Sequence, residues 1–537
     1  MIREQVGAIV KDAVNKLANA GVFGLGGADG EILKGELASA CKEWAHGDYA
    51  SNAAMRLARI AKKNPMEIAQ NIKEEIERNK KSRKIFSKIE IAAPGFINFT
   101  LSPDRLKAET LKVLKEGKNY GKINIGKNKL AQVEFVSANP SGQLHVGNGR
   151  SAFYGDALGN VLAAAGYKIE KEYYINDAKV SKQIQELGKT ALGHGESYLT
   201  PYLKETIEKL KPGLSKMVSE TEAGYYLSQA VLKDLKKFVE KKLDIKFDYW
   251  ISEEDLYKQS WVISTYDILK KQKLVFEKDD AYWLKLSDAG QKDEVLLRKN
   301  GSPTYFLSDI AYHRYKIERG YKKIIDIWGA DHQGHIPRME AVMKILGYKG
   351  EYEVLISQIV RLKGGKMSKR EGNIITLESL VDEVGLDAAR FFYLVKSLNA
   401  QMEFDVELAK EKSEKSPVFY VQYAYARISS ILAKGKAVKP AASSATGLLV
   451  FSSEIELIKE LLRLQEVVED TAADYQVQRL FQYSQDLATS FHKFYCDCRV
   501  ITDDKKLTAA RLQLVMATKI VLKNTLDLMG ISAPEKM

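Results

Sequence analysis

Two short segments carry residues that could handle a phosphate chain. The first is Ala138-Asn139-Pro140-Ser141-Gly142-Gln143-Leu144-His145-Val146-Gly147-Asn148, between the apolar run QVEFVS and the stretch GRSAFYGDALGNVLAAAG. A strand ending here and a helix starting here would aim unpaired N–H groups and the positive end of a helix dipole at an anion. His145 and Asn148 are three residues apart and would share a helical face, and Gly147 between them would let a phosphate or a base approach the backbone. The same residues would also make a plain glycine-rich turn with a capping histidine. The second segment, Lys366-Met367-Ser368-Lys369-Arg370, sets three cations on a loop flanked by Gly364, Gly365 and Gly372. Taken alone it is a solvated basic loop. Beside a nucleotide it is a set of cations able to meet negative charge growing on a phosphorus centre.

Such segments need a sheet to hold them. Residues 130 to 180 read as strand, loop, helix, strand, the opening of a parallel α/β sheet, and the pattern returns in TYFLSDIAYH, KIIDIWGAD, a helix at 337–346 and the strand EVLISQIVRL. Between them, 180 to about 300 is Lys/Glu-rich and helical, an insertion between two halves of one sheet. Residues 1 to 125 read as helices, a hairpin turned at Pro94-Gly95 and a further helix. After about 400 everything reads as helix, with one linker-like stretch from Ala441 to Gly447. The division expected is an α+β domain over 1–125, a parallel-sheet domain over 126–400 with its insertion, and an all-α bundle over 401–537.

The chain has 82 Lys+Arg against 70 Asp+Glu, a net +12, which suggests a polyanionic partner. Residues 1 to 125 hold 22 basic against 15 acidic residues, net +7, whereas 401 to 537 hold 18 of each. Long-range attraction therefore belongs mainly to the N-terminal region, where the cluster from Arg78 to Lys88 leads into Phe96-Ile97-Asn98, an aromatic-plus-amide surface that could touch a nucleotide. Cys41, Cys496 and Cys498 give neither a disulfide framework nor zinc knuckles, so no structural metal is expected. No apolar run approaches the length that spans a bilayer, and no leader peptide is evident; the expected location is the cytoplasm.

Together these motifs resemble the class I aminoacyl-tRNA synthetases, with HVGN and KMSKR as the two signature sequences, and most closely the arginyl-tRNA synthetases. The likeness rests on VEFVSANPSGQLHVGNGR, YYINDA, PTYFLSDIAYH, WGADHQGHIPR, KMSKREGNIITLESLVDEVGLDAARFFYL, FYVQYAYARI and TLDLMGISAPEKM, and is weakest from 180 to 300. It implies a class I Rossmann-type catalytic domain, a ligase reaction serving protein biosynthesis, and the partners ATP with Mg2+, L-arginine and tRNA(Arg), with a monomer as the default state. His145, Gly147 and Asn148 would meet the ATP phosphates, Lys366 and Lys369 the triphosphate, and Asp331 and His332 would line the same pocket. Glu134 and Asp309 would form a carboxylate fork for the guanidinium, a shape an ammonium cannot match. Tyr305, four residues before Asp309, would share its face if that stretch is helical, and Asn139 would hold the substrate's α-amino group. Without the likeness, Glu134 reads as an edge-strand charge and Asp309 as a helix ion-pair partner. Phe96 and Asn98 would touch the tRNA elbow, and Tyr423, Tyr495 and Met537 the anticodon. In one departure, Asn148 stands where the family's signature usually has a second histidine; it can donate a hydrogen bond but never becomes cationic. The rival readings are a class I synthetase of other specificity and a tRNA-binding paralogue without catalysis.

Overall fold

The computed structural model describes residues 1–23, 35–41, 46–363, 375–435 and 448–537. Five parallel strands form the central sheet, in the spatial order Glu351–Ser357, Lys323–Gly329, Leu130–Glu134, Lys168–Ile175, Tyr249–Ser252. The chain starts in the middle, builds to one edge, crosses back and builds to the other. Strand order thus reverses between Leu130–Glu134 and Lys323–Gly329, where Glu134 pairs with Asp326. Loops leaving those two strands diverge to opposite faces, which opens a crevice at their carboxyl ends. Both strands are buried almost throughout, as strands covered on two faces must be. The first crossover helix, Val146–Ala164, is buried nearly all round, with Gly155 pressed so closely onto Phe135 that a Cβ there would fall 2.3 Å from its ring.

The N-terminal region packs helices Ile2–Asn19 and Pro65–Arg78 with a four-stranded antiparallel sheet, whose hairpin of Phe86–Ala92 and Phe96–Leu101 turns at Pro94-Gly95 as expected. The C-terminal region is a bundle of the helices Pro417–Lys434, Ser452–Leu462, Leu464–Asp474, Gln478–Asp497 and Lys505–Met529. No helix of the described residues is long and apolar enough to cross a membrane.

The structure differs from the sequence reading in five places. First, the insertion, read as helical, also holds a three-stranded antiparallel sheet of Val275–Lys278, Ala281–Leu284 and Glu294–Leu297, whose four-residue strands are too short to stand out in sequence. The stretch TYFLSDIAYH belongs to a helix, Tyr305–Glu318, started by Thr304, whose side chain accepts the N–H of Leu307; its buried positions follow helical spacing and only coincidentally alternate. Tyr249–Ser252, placed within the insertion, is the sheet's edge strand; it is short and half-exposed, so no apolar run announces it. EVLISQIVRL is two strands in two sheets, Glu351–Ser357 and Val360–Lys363. The latter pairs with Met402–Asp405, a strand lying where only helix was expected. The linker-like stretch from Ala441 to Gly447 lies outside the described residues.

Candidate active site

At the phosphate end of the crevice, His145 is the N-cap of Val146–Ala164 rather than a residue within it. Its Nδ1 accepts the N–H of Gly147 at 3.1 Å, and its own N–H donates to Asn148 Oδ1 at 3.0 Å. A backbone N–H can only donate, so Nδ1 holds a lone pair and the neutral ring carries its proton on Nε2. Burial lowers the imidazole's pKa, which favours that neutral donor. Asn148 spends its carbonyl on the cap and keeps its NH2 group for a ligand. A Cβ on Gly147 would come 2.8 Å from the His145 ring, so glycine is needed here by the cap itself as well as by any approaching phosphate. Val146 N–H donates to Ile375 O at 3.1 Å and Leu377 N–H to Leu144 O at 2.8 Å, which stitches segment 375–377 along the HVGN turn. Lys366 and Lys369 lie outside the described residues.

Deeper in the crevice the charges are acidic. Tyr305 and Asp309 stand four apart on one helix and both are exposed. Water reaches Asp309 although protein atoms crowd around it, the mark of a concave floor. That desolvation pushes its carboxyl up to about 6; Glu134 adds to the rise, while His313, His332 and Lys316 oppose it. Asp309 makes no ion pair among the described residues, so it is not a helix salt-bridge partner. Glu134 is no edge-strand charge either: it is buried in the central strand, with Oε2 accepting from Lys316 Nζ at 2.6 Å and Oε1 from Ser137 Oγ at 2.7 Å. Lys316 also donates to Asp326 at 2.7 Å. Burial works against the charge on Asp326, but Lys316 and His313 outweigh it and hold that carboxyl down to about 2, whereas burial raises Glu134.

Asn139 follows a strained turn. Val136 and Ser137 have φ of 71° and 37°, a region costly for side chains with a Cβ and most of all for a β-branched one. The turn is held by Ser137 Oγ, which donates to Glu134 and accepts the N–H of Tyr174 at 3.1 Å, and by Tyr173 OH, which donates to Ala138 O at 2.8 Å. Asn139 Oδ1 accepts from Asn176 at 2.9 Å, and Asn139 is exposed. Asp331 and His332 lie in the turn Ala330–His335 that leaves Lys323–Gly329, with His332 Nε2 3.3 Å from Asp331 Oδ2.

Sequence reasoning missed Glu253. It is only 3% exposed, and its Oε2 is buried with no hydrogen-bond partner, as is the hydroxyl of Tyr174. Burial, then the charge of Asp309, push its carboxyl up to about 8. Glu253 thus sets a buried carboxyl beside the exposed Asp309, with an oxygen able to accept from a cationic donor once the group ionises. The only signal in the sequence is an acidic pair closing an unrecognised strand, and such pairs are common on surfaces.

On the outer surfaces, Phe96 is exposed and Asn98 half-buried on the strand face opposite the buried Ile97 and Phe99. Tyr423 and Tyr495 come from different helices and are joined by Arg427, whose guanidinium lies 4.9 Å from one ring centroid and 4.8 Å from the other and donates to Tyr423 OH at 2.7 Å. Phe419 stacks on Tyr423 with rings 8° from parallel. Met537 is exposed at the end of the chain.

Three family models match in order along the chain: the arginyl tRNA synthetase N terminal domain over residues 4–101, the catalytic domain of tRNA synthetases class I (R) over 109–412, and the DALR anticodon binding domain over 421–537. An arginine–tRNA ligase of Carboxydothermus hydrogenoformans is 42% identical over 524 residues, covering 92% of this chain and 93% of that protein. One from Desulforamulus reducens is 39% identical, covering 98% and 100%. Among solved structures, Thermus thermophilus arginyl-tRNA synthetase matches with a TM-score of 0.80 over the whole of both chains at 22% identity, a likeness of fold.

Proposed function

This chain belongs to the arginyl-tRNA synthetase family, and from that premise we propose that it joins L-arginine to tRNA(Arg) in two steps at the crevice just described. The arginine carboxylate attacks the α-phosphorus of ATP and pyrophosphate leaves. The terminal adenosine 2'-OH of tRNA then attacks the arginyl carbonyl and AMP leaves. Neither step needs a protein nucleophile, so catalysis rests on positioning and on charge held ready.

The observation that carries the arginine reading is the pairing of Asp309 with Glu253, two carboxyls raised by desolvation, Asp309 also by Glu134 and Glu253 also by Asp309, with one Glu253 oxygen unpartnered. A guanidinium entering between them supplies the missing donors and positive charge. Tyr305 flanks that fork and Glu134 adds negative charge behind it. Asn139, fixed by the strained turn, takes the α-amino group. His145 donates from Nε2, and Asn148 from its amide, to the ATP phosphates at the helix N-terminus; Asp331 and His332 complete the nucleotide side. Lys366 and Lys369 meet the charge that moves onto the leaving pyrophosphate. Mg2+ bound to ATP would offset part of the charge on its phosphates. Residues 1–125 serve the tRNA elbow through Phe96 and Asn98, and residues 401–537 the anticodon through Tyr423, Tyr495 and Met537. The state proposed is a monomer, and the location that of its substrates, the cytoplasm.

The test is charging of total tRNA with labelled arginine, lysine and citrulline. Citrulline keeps the shape of arginine without its charge, so the reading predicts arginine alone as substrate. Equal use of citrulline would refute an acidic fork as the source of selectivity.

A further inference from the structure

The helix that begins at His145 is bonded, along its middle, to two corners of the helical bundle. Tyr154 donates its hydroxyl to Tyr475 O at 2.7 Å and accepts the N–H of Val477 at 3.1 Å. Those residues form the corner from which Gln478–Asp497, the helix carrying Tyr495, departs. Two positions further on, Asp156 is ion-paired to Arg390 at 2.7 Å and to Lys171 at 2.6 Å. Arg390 is 1% exposed and reaches two more segments: Nη2 donates to Leu243 O at 2.7 Å and Asp244 O at 3.1 Å, where the helix Glu220–Lys241 ends, and Nη1 donates to Met529 O at 3.4 Å, the last residue of Lys505–Met529. Gly530, at φ 68°, lies so close that a Cβ would fall 2.2 Å from Arg390 Nη1. Asn160, one turn beyond Asp156, donates to Leu528 O at 3.2 Å.

A buried guanidinium costs several kcal/mol to desolvate, and only a geometry that uses its fork on several acceptors at once offsets that. A core needing nothing but volume would use an aliphatic side chain here. We infer that Arg390 is a positioning residue: with Asp156 and Tyr154 it clamps the His145 helix to the anticodon-binding bundle, so that correct seating of the anticodon is felt as the placement of His145. The distance is short for such a link, since Asp156 stands about 16 Å along the helix from its N-terminus at about 1.5 Å per residue. This inference rests on the tRNA-charging reading above.

The experiment is a cycle of two changes, measured as kcat and KM for tRNA in arginine charging. The enzyme is parent, Arg390→Lys or Tyr154→Phe; the tRNA transcript carries its own anticodon or one with the central base replaced. In the parent, the anticodon change should lower kcat as well as raise KM. In either variant the kcat penalty should shrink by on the order of tenfold while the KM penalty remains, a coupling of ordinary size for linked sites. A residue that only holds the core together would lower the melting temperature and leave the anticodon penalties additive, and additivity overturns the inference. So does a parent whose kcat ignores the anticodon. If Arg390→Lys fails to fold, the isosteric Tyr154→Phe decides the matter. A parent that charges no tRNA with arginine would instead remove the reading beneath it.

Discussion

Around Asp309 the protein gathers Glu134, Glu253 and Asp326 in its interior and spends Lys316, His313 and Ser137 on holding Glu134 and Asp326. On the bundle, by contrast, exposed Tyr495 and half-buried Tyr423 are joined by Arg427 into a ring platform in a region whose net charge is zero. On the proposed reading the first site selects by charge among desolvated carboxyls, where each unit charge weighs heavily, and the second by area and shape, spread over several rings. The contrast teaches where selectivity and affinity should be fragile. A single atom should matter in the pocket, and a whole ring should be needed to matter on the platform.

The hardest way to break the pocket is Asp309→Asn, which keeps shape and removes a countercharge. Arginine KM should rise on the order of 100- to 1,000-fold, the usual cost of unpairing a buried charge, with ATP KM little changed. Equal arginine KM values in variant and parent would place the fork elsewhere. Lys369→Ala should lower the activation rate by roughly 10- to 1,000-fold with tRNA affinity intact, as for loss of one charge aimed at a transition state. Lost tRNA binding with normal activation would make the loop a binding patch. On the platform, Tyr495→Ala should raise tRNA KM by roughly 5- to 150-fold, the worth of one base stacked on an aromatic ring, and leave arginine and ATP untouched.

Acid should distinguish the two regions without any mutation. Arginine stays cationic throughout, and it pairs with the ionised form of Asp309, whose carboxyl is raised to about 6. Arginine affinity is therefore fully present only above about pH 8 and should fall as pH drops, first as Glu253 takes up its proton near 8 and then by about a further tenfold between pH 6 and pH 5 as Asp309 does, a change that tRNA affinity does not share. Glu253, raised to about 8, is mainly protonated at pH 7, so arginine binding should release a proton there, read by calorimetry in buffers of different ionisation enthalpy. Uptake instead of release would contradict the acidic fork. The smallest effect belongs to Phe96→Ala, a few-fold loss in tRNA use with an unchanged salt slope, since counterion release follows phosphate contacts by charged groups. A shallower slope would mean that the substitution disturbs the neighbouring basic cluster.

The two regions were also unequally legible. Tyr305 and Asp309 could be paired from their spacing, and the HVGN turn from its glycines and its place between an apolar strand and an apolar helix. Both depend on local chemistry. Glu253 could not be found that way, because what makes it unusual is burial beside Asp309, produced by a four-residue edge strand with no apolar run of its own. The same holds for Met402–Asp405, which is a strand only because Val360–Lys363 lies alongside it. Tyr423 and Tyr495 were recognisable as candidates, but their bridge through Arg427 is a contact between helices far apart in sequence.

The central claim is that a cation-selective pocket and a nucleotide-binding helix end work as one activation site. Pyrophosphate exchange with a panel of amino acids, run with and without total tRNA, tests it most directly. The account predicts exchange with arginine alone, and only when tRNA is present, the bound acceptor end completing the pocket by induced fit. Exchange with arginine in the absence of tRNA would keep the substrate and remove the coupling. Exchange with another amino acid, or none under any condition despite tight tRNA binding, would contradict the account.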